Sequence, residues 1–209
     1  MNCPFSRLLV IAAMAAPFAI SSRTEAQILF PIGGSPRSDG GQAVGISLNS
    51  LGQTITSLGF YDHGSDGIAA SYQLGLWDST QTLVRTATVT PTSPLTGDFR
   101  YASIAPITLG SLANPETFTI GVLLPPVMND IWLDDAILVL APGFTGAGDG
   151  QYSGPSNSLV YPGTYEPSGA YVVVNANGPA PPLVPEPTTL AFLTMGALIY
   201  TLTSIRRKR

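Results

Sequence analysis

The sequence predicts an all-β fold: a single antiparallel β-sandwich of jelly-roll type, flanked by an N-terminal signal peptide and a C-terminal transmembrane helix. Two observations carry the central part. Apolar residues there recur with period two, as in Val44, Ile46 and Leu48, or Phe118, Ile120, Val122 and Leu124, which buries one face of each strand. Gly-, Pro- and Asp-rich segments break the pattern at short intervals, as turns between short strands do. The third observation concerns the ends, where Arg7 precedes one apolar run and Arg206 to Arg209 follow another.

Strands are expected at Gln42–Asn49, Thr54–Tyr61, Ala69–Asp78, Leu83–Thr90, Phe99–Ile107, Glu116–Leu124, Ile131–Leu140, Ser158–Tyr161 and Ala170–Asn175. Asp62-His63-Gly64-Ser65-Asp66-Gly67 supplies one turn and Pro91 to Gly97 another. Residues 143–169, rich in Gly, Ser, Pro and Tyr, are expected to form a long surface loop. The domain assigned to residues 27–177 is followed by a stiff Pro-rich linker, 178–184. Strand order is not legible at this level.

Residues 1–26 have the plan of a secretory signal peptide. Arg7 precedes the apolar run Leu8 to Ile20, and Thr24-Glu25-Ala26 places small residues before a cut between Ala26 and Gln27. Residues 185–209 form the other end. Thr188 to Ile205 contains no charge and would make a helix of about 27 Å, close to the thickness of a bilayer core. Arg206, Arg207, Lys208 and Arg209 follow, a stop-transfer cluster that favours the cytoplasmic side.

Between these ends lie three arginines, no lysine and eleven acids, a net charge of −8 over residues 27–184. Such a surface repels phosphate backbones, which argues against nucleic-acid binding. The single cysteine, Cys3, sits inside the signal peptide, so the domain has no disulfide or thiolate metal site.

Val184-Pro185-Glu186-Pro187, the apolar stretch containing Gly196 and the terminal basic cluster stand in fixed order. This tail resembles the PEP-CTERM sorting domain of Gram-negative bacteria. The resemblance covers Val184 to Arg209. It implies that Pro185, Glu186 and Pro187 are the sorting signal of an exosortase, a membrane cysteine transpeptidase. It also implies transient membrane residence, delivery to the cell surface or extracellular matrix, and an association with exopolysaccharide and biofilm. The two prolines impose an extended backbone, which suits presentation to an active-site groove. A second resemblance rests on Leu58-Gly59-Phe60-Tyr61-Asp62, Leu74-Gly75-Leu76-Trp77-Asp78 and Pro106-Ile107-Thr108-Leu109. These are similar to β-sandwich domains of unknown function in bacterial surface proteins. That resemblance covers roughly Thr54 to Val122 and implies no activity.

Catalytic residues are not evident. His63 is the only histidine, lies in a turn sequence, and has no Gly-x-Ser-x-Gly elbow to serve. No cofactor is expected. The alternative is Ca²⁺ held by Asp62 and Asp66, although turn chemistry alone accounts for both. Asp134 and Asp135 are neighbours on a strand and should point to opposite faces, so they do not pair on one substrate. Trp77 is expected in the core. Tyr152, Tyr161 and Tyr165 are candidate glycan contacts, because aromatic rings stack on sugars. The residues thus favour a non-enzymatic exported surface or matrix protein. A carbohydrate-binding module for the host exopolysaccharide and a polysaccharide hydrolase or lyase stay open as alternatives.

Overall fold

The computed structural model describes residues 25–146, 150–166 and 169–179. Among them there is no α-helix, and one 3-10 turn, His63–Ser65, interrupts the strands. In chain order these are β1 (Glu25–Gln27), β2 (Leu29–Ile32), β3 (Ser35–Arg37), β4 (Gln42–Ser50), β5 (Gln53–Tyr61), β6 (Tyr72–Trp77), β7 (Leu83–Val89) and β8 (Leu95–Thr96). There follow β9 (Phe99–Leu109), β10 (Glu116–Leu124), β11 (Trp132–Leu140), β12 (Phe144–Thr145), β13 (Gly150–Pro155), β14 (Thr164–Tyr165), β15 (Ala170–Val172) and β16 (Val174–Pro179).

The strands form three antiparallel sheets. A five-stranded sheet runs β1-β16-β5-β9-β8, and a seven-stranded sheet runs β14-β13-β4-β10-β6-β7 with β12 also on β4. A smaller sheet, β15-β11-β2, has β3 beside β11. The fold is therefore all-β and antiparallel, as expected.

One core joins the two large sheets. Val44, Ile46, Leu48, Phe118, Ile120, Val122, Leu74 and Leu76 from the seven-stranded sheet are buried with Ile55, Leu58, Phe60, Val174 and Ala176 from the five-stranded sheet. Period-two alternation delivers this directly, since every second residue of β4 and β10 enters the same cluster. In β9 the alternation shifts phase. A bulge lies where Ile55 pairs with Ile107 but Ser57 pairs with Ser103, so both Ile104 and Ile107 pack against the core. Pro106 sits in that bulge, where a missing N–H breaks no ladder bond. A second cluster, Tyr61, Phe99, Tyr101, Leu133, Ala136 and Val172, joins β5 and β9 to the small sheet.

Several expectations need correction. Ser158–Tyr161 is not a strand; Ser156 Oγ donates to the Ser158 carbonyl and accepts the Ser158 N–H, so local bonds replace a ladder. Gly150–Pro155, expected within a loop, is strand β13, because the edge of β4 offers it backbone partners. The strand expected from Ala69 begins at Tyr72, since the Ala69 N–H is taken by the Asp130 carboxylate. The strand expected over Ala170–Asn175 divides at Val173 into β15 and β16. β16 continues through Gly178 to Pro179, two residues into the segment assigned to the linker.

Candidate functional site

Two surfaces bring together polar and aromatic groups outside the core. The first is the outer face of the seven-stranded sheet. Gly75, Gly121 and Gly45 are register partners on β6, β10 and β4, and the row continues to Gln151 and Tyr165. Trp77 shares the face of Gly75 and lies across it: a Cβ on Gly75 would come within 2.5 Å of the indole Cη2. Trp77 is buried, as expected, on the outer side of β6 and apart from the cluster that joins the two large sheets. Parity explains this, because Leu74 and Leu76 take the inward positions of β6. The Tyr161 ring meets the indole edge-on at 6.0 Å. The Tyr161 hydroxyl lies 3.3 Å from Thr119 Oγ1, which lies 2.5 Å from Ser47 Oγ.

The three candidate tyrosines do not form one platform. Tyr152 pairs with Val44 and packs against the core from the inner side. Tyr165 pairs with Gln151 on the outer face and is 58% exposed. Tyr161 is half-buried against Trp77. Sequence patterning did not single out Gln151, whose Oε1 is buried beside Tyr165's strand with no hydrogen-bond partner among the described residues, nor Ser47 and Thr119. The period-two pattern marks all three as outward-facing once β4, β10 and β13 are known to be neighbours.

The second surface is a cleft of about 370 Å³ lined by His63, Asp66, Gly67, Ile68, Ala69, Asn129, Asp130 and Ile131. Asp130 lines it with a buried carboxylate, and a second buried carboxylate, Asp62, opens the adjoining 62–67 turn. Asp130 accepts the Ala69 N–H and the Tyr72 hydroxyl. Asp62 accepts the Gly67 N–H at 3.0 Å and Arg100 Nε at 2.7 Å. Gly67 has φ +111°, a conformation that side chains disfavour, so glycine belongs at this turn. The two proposed Ca²⁺ ligands are thus placed differently. Both Asp62 oxygens are engaged in the protein's own bonds, whereas Asp66 is exposed at the rim. Among the described residues no three His, Cys, Asp or Glu side chains gather as a metal-holding group. His63 lies in the 3-10 turn, exposed, with Nδ1 3.3 Å from the Tyr61 hydroxyl. Asp134 pairs with Arg37 at 2.6 Å, while Asp135 is exposed with φ +55°.

Burial and the Asp130 carboxylate push the Tyr72 phenol well above its ordinary value. Burial pushes Tyr171 up to about 12. A raised folded-state value means that stability is fully present below the unfolded value near 10 and is lost as pH rises past it. Urea titrations are therefore expected to show stability falling between about pH 10 and 12. Tyr72→Phe is expected to reduce that slope, and an unchanged slope would contradict the assignment.

Pro185, Glu186, Pro187, the 188–205 segment and Arg206 to Arg209 lie outside the described residues. The Ala26–Gln27 bond lies within β1, where Gln27 pairs with Asn177. Among the described residues no helix is long and apolar enough to cross a membrane. No protein-family model, curated protein or solved structure matches the chain.

Proposed function

We propose that the chain is an exported, non-catalytic protein of the bacterial surface or extracellular matrix, a β-sandwich domain delivered by a signal peptide and a PEP-CTERM-like tail that an exosortase processes. The observation that carries this is the fixed order Pro185-Glu186-Pro187, eighteen uncharged residues and four basic ones, behind an acidic β-domain. The geometry of the domain's ends supports it. Gln27, the first residue after the expected cut, pairs with Asn177, so the start of the trimmed chain and the segment after β16 lie at one corner. A tether there holds the domain without crossing its core. The intact mass of the chain recovered from the host surface tests the reading, with both ends expected to be trimmed.

A second reading is that the domain contacts host exopolysaccharide. It is favoured by Tyr165, an exposed ring on the outer face of the seven-stranded sheet. A sugar ring would stack on the exposed face of Tyr165. Retention on immobilised host matrix is expected, reduced about tenfold by Tyr165→Ala or Tyr161→Ala and unaffected by Tyr152→Phe. Absence of retention on every host glycan removes this reading and leaves the sorting reading intact.

A further inference from the structure

The small sheet carries an apolar surface that nothing among the described residues covers. Phe30 and Ile32 of β2 stand directly opposite Val139 and Ile137 of β11. All four side chains are exposed, Ile32 at 57% and Ile137 at 67%. Their strand neighbours Leu29 and Leu138 face the core, so alternation has turned a second apolar set outward. Water-facing strand positions normally carry polar residues; two adjacent pairs of large apolar ones make a continuous patch of a few hundred Å², the size that marks a contact site.

The patch is tied to the corner where the chain enters and leaves the domain. Phe30 is three residues from Gln27, about 10 Å along a strand, and Gln27 pairs with Asn177, two residues before Pro179. From Pro179 only residues 180–187 precede the apolar stretch at Thr188, a reach of about 28 Å when fully extended. A stable dimer needs roughly 800 Å² from each copy, well beyond this patch. Electrostatic docking is also disfavoured, because the patch itself is uncharged and the domain around it is acidic. An uncharged apolar patch on a short leash suits the interfacial zone of a bilayer, where Phe and Ile insert beneath the headgroups.

We propose that the Phe30–Ile32–Ile137–Val139 face rests on the lipid surface while the tail still anchors the chain. This rests on the reading of residues 188–205 as a membrane span. The contact would fix the domain's orientation over the membrane and keep the point where the chain leaves β16 close to the bilayer surface, where a membrane-embedded transpeptidase works.

The test uses the full chain carrying Cys3→Ser, with one fluorophore at Val139→Cys, Leu112→Cys or Phe192→Cys. Each variant is placed in phosphatidylcholine nanodiscs at one chain per disc, with spin-labelled lipids as quenchers. Fluorophores at 139 and 192 are expected to be quenched about threefold or more, and the one at Leu112, itself 81% exposed, is not. Adding Phe30→Asp, Ile32→Asp and Ile137→Asp is expected to return position 139 to the Leu112 level while 192 stays quenched. Quenching at 192 without quenching at 139 overturns the surface contact and leaves the membrane span standing. Quenching at 139 that survives the three aspartates overturns the patch as its cause. No quenching at 192 overturns the span and the proposal with it.

Discussion

Arg100→Met is expected to destabilise the domain by about 3–5 kcal/mol, measured by urea unfolding. The Asp62 side chain is fully buried, and its Oδ2 accepts Arg100 Nε at 2.7 Å. Without the guanidinium a carboxylate is left in the interior with only the Gly67 N–H to satisfy it. The cost arises from that uncompensated charge rather than from the worth of the pair, so the companion variant matters. Removing both charges, in Arg100→Met with Asp62→Asn, is expected to recover a large part of the loss. The Asp98 carbonyl accepts the Asp62 N–H, and Arg100 also donates to the Ser93 carbonyl. The pair therefore fastens the 62–67 turn to the β8–β9 hairpin. A loss below about 1 kcal/mol would show that the pair behaves as a solvated surface bridge.

Trp132→Ala carries the second large effect, again about 3–5 kcal/mol. The ring is 1% exposed and meets Tyr171 edge-on at 5.1 Å. Its Nε1 donates to the Asp39 carbonyl at 3.1 Å. Above the ring, 5.2 Å from its centroid, lies Arg37 Cζ, whose guanidinium bridges Asp39 and Asp134. Arg37 is raised further above its ordinary value chiefly by its bond to Asp39, which is itself held below the usual carboxylate range. Trp132 thus pins β11, and with it the small sheet, to the main core. Trp132→Phe keeps most of the packing and is expected to cost about 1–2 kcal/mol, chiefly the lost hydrogen bond and cation–π contact. A similar, small cost for both variants would mean that the small sheet is not held through this ring.

The fold was legible where one face of a strand is wholly apolar and the other is not. Phe118, Ile120, Val122 and Leu124 all enter the core, and β10 has the bounds that its alternation predicts. Legibility failed where the partner rather than the strand decides. Gly150–Pro155 has turn-like composition and becomes a strand because β4 is beside it, with Ser153 Oγ accepting the Ala43 N–H. Ser158–Tyr161 has the right residue types but makes its bonds locally. Trp77 shows how a hydrophobic residue misleads: its burial was foreseen, but its face depends on parity with Leu74 and Leu76. The same holds for the site. Tyr152 and Tyr165 are aromatic residues of one segment, yet their register partners, Val44 and Gln151, put them on opposite faces. The Phe30–Val139 and Ile32–Ile137 pairs were invisible for the same reason, since neither strand alone shows that its outward residues adjoin others of the same kind.

The most direct test of the sorting account is the intact mass of the chain recovered from the surface or matrix of its native host. A chain that begins at Gln27 and ends near Pro185–Pro187 is expected, because the signal peptide is removed after Ala26 and the tail is cut at the Pro-Glu-Pro. A chain that still ends in Arg206-Arg207-Lys208-Arg209 would contradict the account and make the protein a tail-anchored membrane protein.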